Sequence, residues 1–258
     1  GYRAPRVTRA IAAEAIEQGV TTPTSEHRCE NGAYKYGDQT FHDWKKGGWE
    51  KLTTTQAIAI SSDICSMKIA EKLGPEKLRT MFSNYNLGTV DAGAQLIPSA
   101  AYGMGFRITP VEVVQAYGAI ANGGNLLAPQ FGASSEAPKV VRRVMSEENS
   151  GKMREMLQQV VLSGTASRSP STLYTTAGKT ESTTSSGVLD GDSTGGPKRT
   201  DIAGFVGFAP VKNPKVTIYV AIFNPNDKSG AHGSTHAAPV FTQLTDQILK
   251  HMNVTPDK

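Results

Sequence analysis

The first half of the chain carries apolar residues at helical spacing. Residues 8–18 repeat Ala and Ile every three to four positions, and the run stops at a glycine. A second helical pattern covers residues 53–73, but the polar triplet Ser61, Ser62 and Asp63 interrupts it. The spacing predicts one helix over residues 8–18 and two further helices that meet at a turn at the triplet.

Later helices are indicated by capping residues, prolines and glycines. The clearest signal is a capping box, in which Thr109 precedes Glu112 by three residues and Pro110 takes the first helical position. The predicted helices cover residues 76–85, 110–121, 146–161 and 238–251.

From about residue 173 onward the pattern changes to that of strands. The predicted strands cover residues 173–178, 202–208 and 216–223, with a Gly/Ser/Thr-rich loop over residues 185–196. Consecutive strands followed by a helix predict an α+β fold, in which helices pack on an antiparallel sheet. We expect one domain over residues 1–258, mainly helical at about residues 20–165, with the sheet and a final helix at 166–258.

The stretch between residues 21 and 53 is rich in turn residues and has no clear period. We expect its aromatic side chains to pack it down as an ordered flap; they are Tyr34, Tyr36, Phe41, Trp44 and Trp49. His42 and Asp43 have the chemistry of an acid–base pair. Neighbours in a sequence point apart, however, and no nucleophile accompanies them, so we expect a structural role.

Composition narrows the class of protein. The chain has 258 residues, 38% of them hydrophobic, and a formal net charge of +4, which fits a globular protein. No motif accompanies its basic residues, so we predict no nucleic-acid partner. It contains no run of 18 apolar residues.

The chain has two cysteines, Cys29 and Cys65, which are too few for a metal cluster or a disulfide framework. Whether they pair with each other stays open. Cys65 is expected on an apolar helix face.

The hypothesis of a metal hydrolase rests on two histidines. His232 and His236 have the i, i+4 spacing of one helix face, but Gly233 and Ser234 between them favour a loop. The His-Glu-x-x-His motif does not occur in the chain. We therefore predict neither a metal nor a cofactor.

Eight short segments together resemble the transpeptidase domain of class B penicillin-binding proteins of the division and elongation types. They occur in the family's order and with similar spacing over nearly the whole chain. The segments are 29–32, 41–48, 61–63, 103–110, 121–124, 177–180, 205–210 and 237–241.

The resemblance implies a helical subdomain beside an α/β/α sandwich. In that family a serine of a Ser-x-x-Lys motif attacks the D-Ala-D-Ala carbonyl of a stem peptide, and the lysine acts as its base. A Ser-x-Asn loop completes proton transfer. A Lys-Thr-Gly strand binds the substrate carboxylate and supports the oxyanion hole.

The first of these motifs is missing here. Counted back from Gly19, its serine and lysine fall on Pro5 and Thr8, which supply neither a nucleophile nor an amine. No serine anywhere in the chain is followed by a lysine three residues later. The resemblance therefore implies a fold without the family's acylation chemistry.

The other two motifs are altered as well. The second has Asp63 where the family has an amide, and the third keeps Lys179 and Thr180 but has Glu181 in place of glycine. Lys179 among hydroxyl side chains predicts an anion-binding rim. We expect Glu181 to neutralise that lysine, to repel a substrate carboxylate and to block close approach of a ligand to the backbone.

These departures favour a non-catalytic scaffold, or a domain that binds peptidoglycan or a partner protein, in wall synthesis or division. Its expected partners are a stem peptide or other proteins of wall synthesis and division, on the periplasmic side of the inner membrane. We expect the family's upstream strands, pedestal and membrane anchor to be absent from this chain. Two alternatives remain: a fragment or variant of an active D,D-transpeptidase, and a nucleophile moved to Ser61 or Ser62 and activated by Lys179.

Overall fold

The computed structural model describes residues 8–90, 95–103, 106–132, 136–186, 199–226 and 230–258. Helices alternate with short strands as far as residue 162, and the longer strands follow. The helices are α1 (Thr8–Glu17), α2 (Thr54–Ile60), α3 (Asp63–Leu73), α4 (Pro75–Asn84), α5 (Leu96–Tyr102), α6 (Pro110–Ala121), α7 (Glu147–Leu162) and α8 (Ala237–His251).

All strand pairs among the described residues are antiparallel. β9, β10 and β11 form a three-stranded sheet with β10 in the centre, and the other strands pair two by two as β1–β4, β2–β3, β5–β6 and β7–β8. The strands are β1 (Glu26–Arg28), β2 (Ala33–Tyr36), β3 (Gln39–His42), β4 (Lys51–Thr53), β5 (Thr89–Val90), β6 (Phe106–Arg107), β7 (Asn125–Leu127), β8 (Val140–Arg143), β9 (Ala177–Ser186), β10 (Arg199–Ala209) and β11 (Val216–Phe223).

The three-stranded sheet is covered by helices on both faces. Phe205 of β10 packs against Phe241 of α8, with 4.5 Å between ring centroids. Val206 points to the opposite face, and its partner on β11, Tyr219, lines a cleft beside α6. Helices α6 and α8 thus lie on opposite sides of the sheet, which is the predicted α+β arrangement.

The predicted helix signals are confirmed. Thr109 and Glu112 form the capping box at the start of α6, because the Thr109 hydroxyl accepts a hydrogen bond from the Glu112 N–H and the Glu112 carboxylate accepts one from the Thr109 N–H. The interruption at residues 61–63 separates α2 from α3, as expected. Helix α1 packs into the main core through Ile11, which is fully buried.

The strand predicted over residues 173–178 is wrong at both ends, since β9 begins at Ala177 and runs to Ser186. The preceding residues dock instead on the end of the chain. Thr175 donates two hydrogen bonds to the Asp257 carboxylate, and the Tyr174 hydroxyl donates to the Val254 carbonyl. Of the loop predicted over residues 185–196, the first two residues belong to β9 and the rest lie outside the described residues.

The stretch from residue 21 to 53 is more ordered than its sequence suggests, because it forms β1 to β4. Tyr34, Tyr36 and Phe41 pack against a buried cluster around Ile64, as expected of the flap. Trp44 departs from that prediction, since 60% of its surface is exposed.

Cys29 and Cys65 form a disulfide that ties the stretch 21–53 to α3. Cys65 is buried on the helix face as predicted, although as half of a covalent link rather than as a free core residue. In the described part of the chain no helix is long and apolar enough to span a membrane.

Candidate functional site

The second altered motif forms the turn between α2 and α3. Ser61 ends α2 in the left-handed conformation, with φ 63° and ψ 48°. Ser62 then caps α3, because its hydroxyl accepts a hydrogen bond from the Cys65 N–H at 3.1 Å. The turn exists because Asp63 opens a new helix in a different direction.

Asp43 holds this turn in place. Its carboxylate accepts hydrogen bonds from the Ser62 hydroxyl at 2.9 Å, from the Asp63 N–H at 2.6 Å and from the Ile64 N–H at 3.2 Å. A carboxylate on the first N–H groups of a helix also interacts favourably with the helix dipole. Asp43 is buried whereas His42 is exposed. The Asp43 carboxylate therefore has the structural role that we expected, and the two side chains do not form an acid–base pair.

The same contacts argue against Ser62 as a nucleophile that replaces the serine of the family's Ser-x-x-Lys motif. The Ser62 hydroxyl is fully buried, donates to Asp43 and accepts from Cys65. It is therefore engaged in capping the helix and has no open path to a substrate.

A polar cluster lies beside the disulfide and combines the buried His27 with the exposed Lys72. The Lys72 ammonium is 3.5 Å from Nδ1 of His27, so this nitrogen accepts and the Nε2–H donates to the Thr54 hydroxyl at 2.8 Å. Burial, and then the charge of Lys72, lowers the pKa of His27 to about 4. His27 is accordingly neutral at neutral pH and has a structural role beside α2.

The third altered motif lies on β9. Lys179 is buried, and its ammonium donates to the hydroxyl of Thr180 at 3.0 Å and to the Thr180 carbonyl at 3.2 Å. The Thr180 hydroxyl is 2.6 Å from that of Thr165. The expected anion-binding rim is thus a set of hydroxyls that surround a buried ammonium.

Thr165 connects the two motifs. It follows α7, and its N–H donates to the Ala59 carbonyl at 3.1 Å, one residue before the end of α2. Gly164 packs against the same carbonyl so closely that a Cβ would collide with it. The close approach of this loop to α2 brings β9 and the turn at residues 61–63 to one region of the fold.

Glu181 is buried on β9, opposite Gly204 of β10. Its carboxylate accepts a hydrogen bond from the Tyr219 hydroxyl at 2.9 Å. A Cβ on Gly204 would lie 2.6 Å from the same carboxylate. The side chain therefore extends across the sheet toward β11, and its pairing with Lys179 remains a prediction.

The segment before α8 covers the backbone of β9. Gly233 donates its N–H to the Ser182 hydroxyl at 3.1 Å, and a Cβ at Gly233 would collide with backbone atoms of Glu181 and Gly204. The segment thus lies directly on the altered motif.

His232 and His236 belong to that segment, which is a turn, as predicted. Nδ1 of His236 lies 3.0 Å from the carbonyl oxygen of His232 and 3.0 Å from the hydroxyl of Thr235. Among the described residues no three His, Cys, Asp or Glu side chains are grouped in a way that suits a metal ion.

Of the two positions expected to correspond to the Ser-x-x-Lys motif, the structure describes one. Thr8 begins α1, whereas Pro5 lies outside the described residues. Three residues that shape the site were not predicted, namely Thr165, Gly204 and Tyr219. No local pattern marks them, because each acts on a partner that is distant in the sequence.

Comparison with known proteins agrees with this geometry. The chain is 27% identical over 274 residues to stage V sporulation protein D of Bacillus subtilis, and 27% identical over 290 residues to penicillin-binding protein PbpB of Mycobacterium tuberculosis. These alignments cover 95% and 97% of the chain but 42% of each relative. The chain thus spans about two-fifths of the length of these relatives.

The fold is also found among solved structures. The transpeptidase domain of penicillin-binding protein 3 from Burkholderia pseudomallei superimposes with a TM-score of 0.82 at 24% identity, covering 100% of this chain and 81% of that one. The resemblance and the α+β fold predicted from the sequence are confirmed. The family description "Penicillin binding protein transpeptidase domain" matches residues 9–246. This chain belongs to the family of penicillin-binding-protein transpeptidase domains.

Proposed function

We propose that the chain is a transpeptidase-like domain of peptidoglycan synthesis that binds a stem peptide without forming an acyl-enzyme. The observation that carries the proposal is the absence from the sequence of any serine followed by a lysine three residues later. The family's route begins with that serine, so a chain without it lacks the group that would be acylated.

The remaining polar groups support a binding role. The Ser62 hydroxyl is engaged as a helix cap, and the ammonium of Lys179 donates to Thr180. The Lys179 side chain lies among these hydroxyls, and in its charged form it attracts a carboxylate. Thr165 and Thr180 add hydroxyls beside it, and charge-assisted hydrogen bonds of this kind suit a peptide carboxylate. Glu181, which the sequence predicts to repel such a group, directs its carboxylate toward Tyr219 instead.

The relatives and the disulfide support a place of action outside the cytoplasm. The names of relatives include peptidoglycan D,D-transpeptidase, which favours a role in wall synthesis for this chain too. The buried Cys29–Cys65 disulfide favours an oxidising, extracytoplasmic compartment such as the periplasm. Within that setting we propose one domain over residues 1–258 that acts as a scaffold for wall synthesis or division proteins.

Intact-protein mass spectrometry after incubation with excess benzylpenicillin tests the missing chemistry. We expect no added mass in folded protein, while the transpeptidase domain of an active relative, treated in parallel, gains one adduct. A stoichiometric adduct here would overturn the non-catalytic proposal, and peptide mapping would show whether Ser61 carries it.

Calorimetric titration with a D-Ala-D-Ala-terminated stem pentapeptide tests binding. We expect saturable binding that Lys179→Met weakens about tenfold or more, because the ammonium is lost. If the wild-type chain does not bind the pentapeptide, the proposal that it binds a stem peptide is wrong.

A further inference from the structure

Trp44 is an exposed indole beside the turn that carries the second motif. It is 60% exposed, and the residues that follow it, Lys45 and Lys46, are exposed as well. An aromatic ring of this size normally contributes to a core or to an interface, because its exposure to water is unfavourable.

The ring is fixed in place although it is exposed. Its Nε1–H donates to the Ile60 carbonyl at 3.0 Å, directly before Ser61. Trp49 packs against it edge to face, with 5.8 Å between ring centroids. Neighbouring Asp43 is held by three hydrogen bonds.

The loop that carries Trp44 is rigid for a second reason. Gly48 approaches Gly32 so closely that a Cβ on Gly32 would lie 2.6 Å from the Gly48 Cα. A loop held at both ends that exposes an indole is preorganised for a ligand, since little conformational freedom is lost on binding.

Positive charge borders the ring. The Lys45 ammonium lies 5.0 Å from the centroid of Trp49, within the range of a cation–π contact, and Lys46 adds a second exposed ammonium. Glu50 is the exposed acid at the end of this loop. We call Trp44, Lys45, Lys46 and Trp49 the tryptophan platform.

We propose that the tryptophan platform binds peptide-free stretches of the glycan strand of peptidoglycan, that is, a polymer of N-acetylated amino sugars whose lactyl carboxylates are free where no stem peptide is attached. This inference rests on the proposed function and names a second part of the same substrate. A pyranose ring has a flat C–H face that packs on an indole, while its hydroxyls stay in water. The lysines then attract the free lactyl carboxylates of the peptide-free sugars.

Two other occupants fit less well. A lipid surface favours an indole whose N–H reaches the interface, but the N–H of Trp44 is already bonded to Ile60. A stable protein partner needs roughly 800 Å² of contact with several apolar anchors. The other exposed large apolar side chains, such as Phe131 and Val140, belong to different segments.

The chain offers a direct probe. Its two tryptophans are both in the platform, so tryptophan fluorescence, excited at a wavelength that tyrosine does not absorb, reports on this surface alone. We would titrate the whole chain with a peptide-free tetrasaccharide of alternating N-acetylglucosamine and N-acetylmuramic acid, following fluorescence and heat. The sugar-free stem pentapeptide is titrated separately, and vesicles of anionic phospholipid form a third probe.

We expect the tetrasaccharide to shift the tryptophan emission and Trp44→Ala to weaken its binding about tenfold or more. Trp44→Phe keeps a ring and is expected to stay within about threefold of wild type. The double variant Lys45→Ala/Lys46→Ala should weaken binding and remove its dependence on salt. Phe131→Ala, which removes another exposed aromatic ring, is the matched control and should leave binding unchanged.

The outcomes separate this inference from the proposed function. If the pentapeptide binds but the tetrasaccharide does not, the platform is overturned and the proposed function stands. If the tetrasaccharide binds Trp44→Ala as tightly as wild type, the platform is also overturned. Vesicle binding that is lost in Trp44→Ala, without tetrasaccharide binding, would assign the surface to lipid instead. If Trp44→Ala does not fold, the lysine double variant decides.

Discussion

The Tyr219 hydroxyl donates a hydrogen bond to the Glu181 carboxylate across the central strand, with 2.9 Å between the oxygens. The contact passes over Gly204, the residue of β10 that lies opposite Glu181. A glutamate is accommodated at position 181 because its side chain lies in the space that a side chain at position 204 would take. Two positions on neighbouring strands are thereby coupled.

Gly204→Ala should destabilise the fold for this reason. The new Cβ would lie 2.6 Å from the carboxylate of Glu181 and 3.1 Å from its Cβ. Overpacking of this kind costs about 1–3 kcal/mol in the free energy of unfolding. Chemical denaturation of the wild type and the variant measures the difference.

The double variant Glu181→Gly/Gly204→Ala is the control for that prediction. Removing the glutamate side chain opens the space, so the alanine should cost at least about 1 kcal/mol less than it does in the wild-type background. Equal costs in both backgrounds would show that the two residues are not coupled.

Asp43→Ala should destabilise the chain by about 2–4 kcal/mol. The substitution removes the carboxylate that accepts three hydrogen bonds, and it leaves the buried Ser62 hydroxyl and two N–H groups of α3 without that partner. The neighbouring His42→Ala, at an exposed position, should change stability by less than about 0.5 kcal/mol. Urea denaturation measures both variants, and similar losses would show that the three hydrogen bonds of the Asp43 carboxylate are not the cause of the destabilisation.

Reduction of the disulfide should lower stability by about 3–4 kcal/mol. Cys29 and Cys65 are 36 residues apart, and a closed loop of that length restricts the unfolded chain by about this amount. Denaturation with and without dithiothreitol measures the effect. The variant Cys29→Ser/Cys65→Ser should already show the loss and should not respond to the reductant; a response would assign the effect to something other than the disulfide.

His27 should make the chain less stable in mild acid. In the unfolded chain the imidazole takes up a proton near its ordinary pKa of 6.5, whereas in the folded chain burial and Lys72 lower the pKa to about 4. The unfolded state therefore binds more protons between these values, and stability falls as pH decreases from about 6.5 to 4. The expected loss is about 2–3 kcal/mol.

Denaturation curves at several pH values test this expectation. His27→Gln should flatten the dependence in that window, because the titrating group is gone. His251→Gln, at an exposed position on α8, is the matched control and should keep the wild-type slope. An unchanged slope in His27→Gln would show that other groups cause the acid sensitivity.

The sequence predicted the elements whose signals are local. The capping box at Thr109 and Glu112, the break at Ser61 between two helices and the dense apolar strand of residues 216–223 were all visible. Each depends on residues within a few positions of one another, so the period of apolar side chains and the capping chemistry are enough to find it. The order of the motifs also showed the family.

Local signals failed where a segment depends on a distant partner. Residues 173–176 have a strand-like composition, but Thr175 binds Asp257 near the end of the chain. The sequence also placed Trp44 inside the flap, where the structure exposes it. Neither outcome can be obtained from nearby residues.

What the sequence alone determined is the α+β fold class, its main helices, its family and the absence of a Ser-x-x-Lys pattern from these 258 residues. Only the tertiary structure decided that Cys29 pairs with Cys65, that Asp43 caps α3 and that Glu181 reaches Tyr219. The physical reason is distance along the chain. Periodicity and capping act over one or two turns, whereas these contacts join residues 20 to 38 positions apart and form only when the whole chain packs.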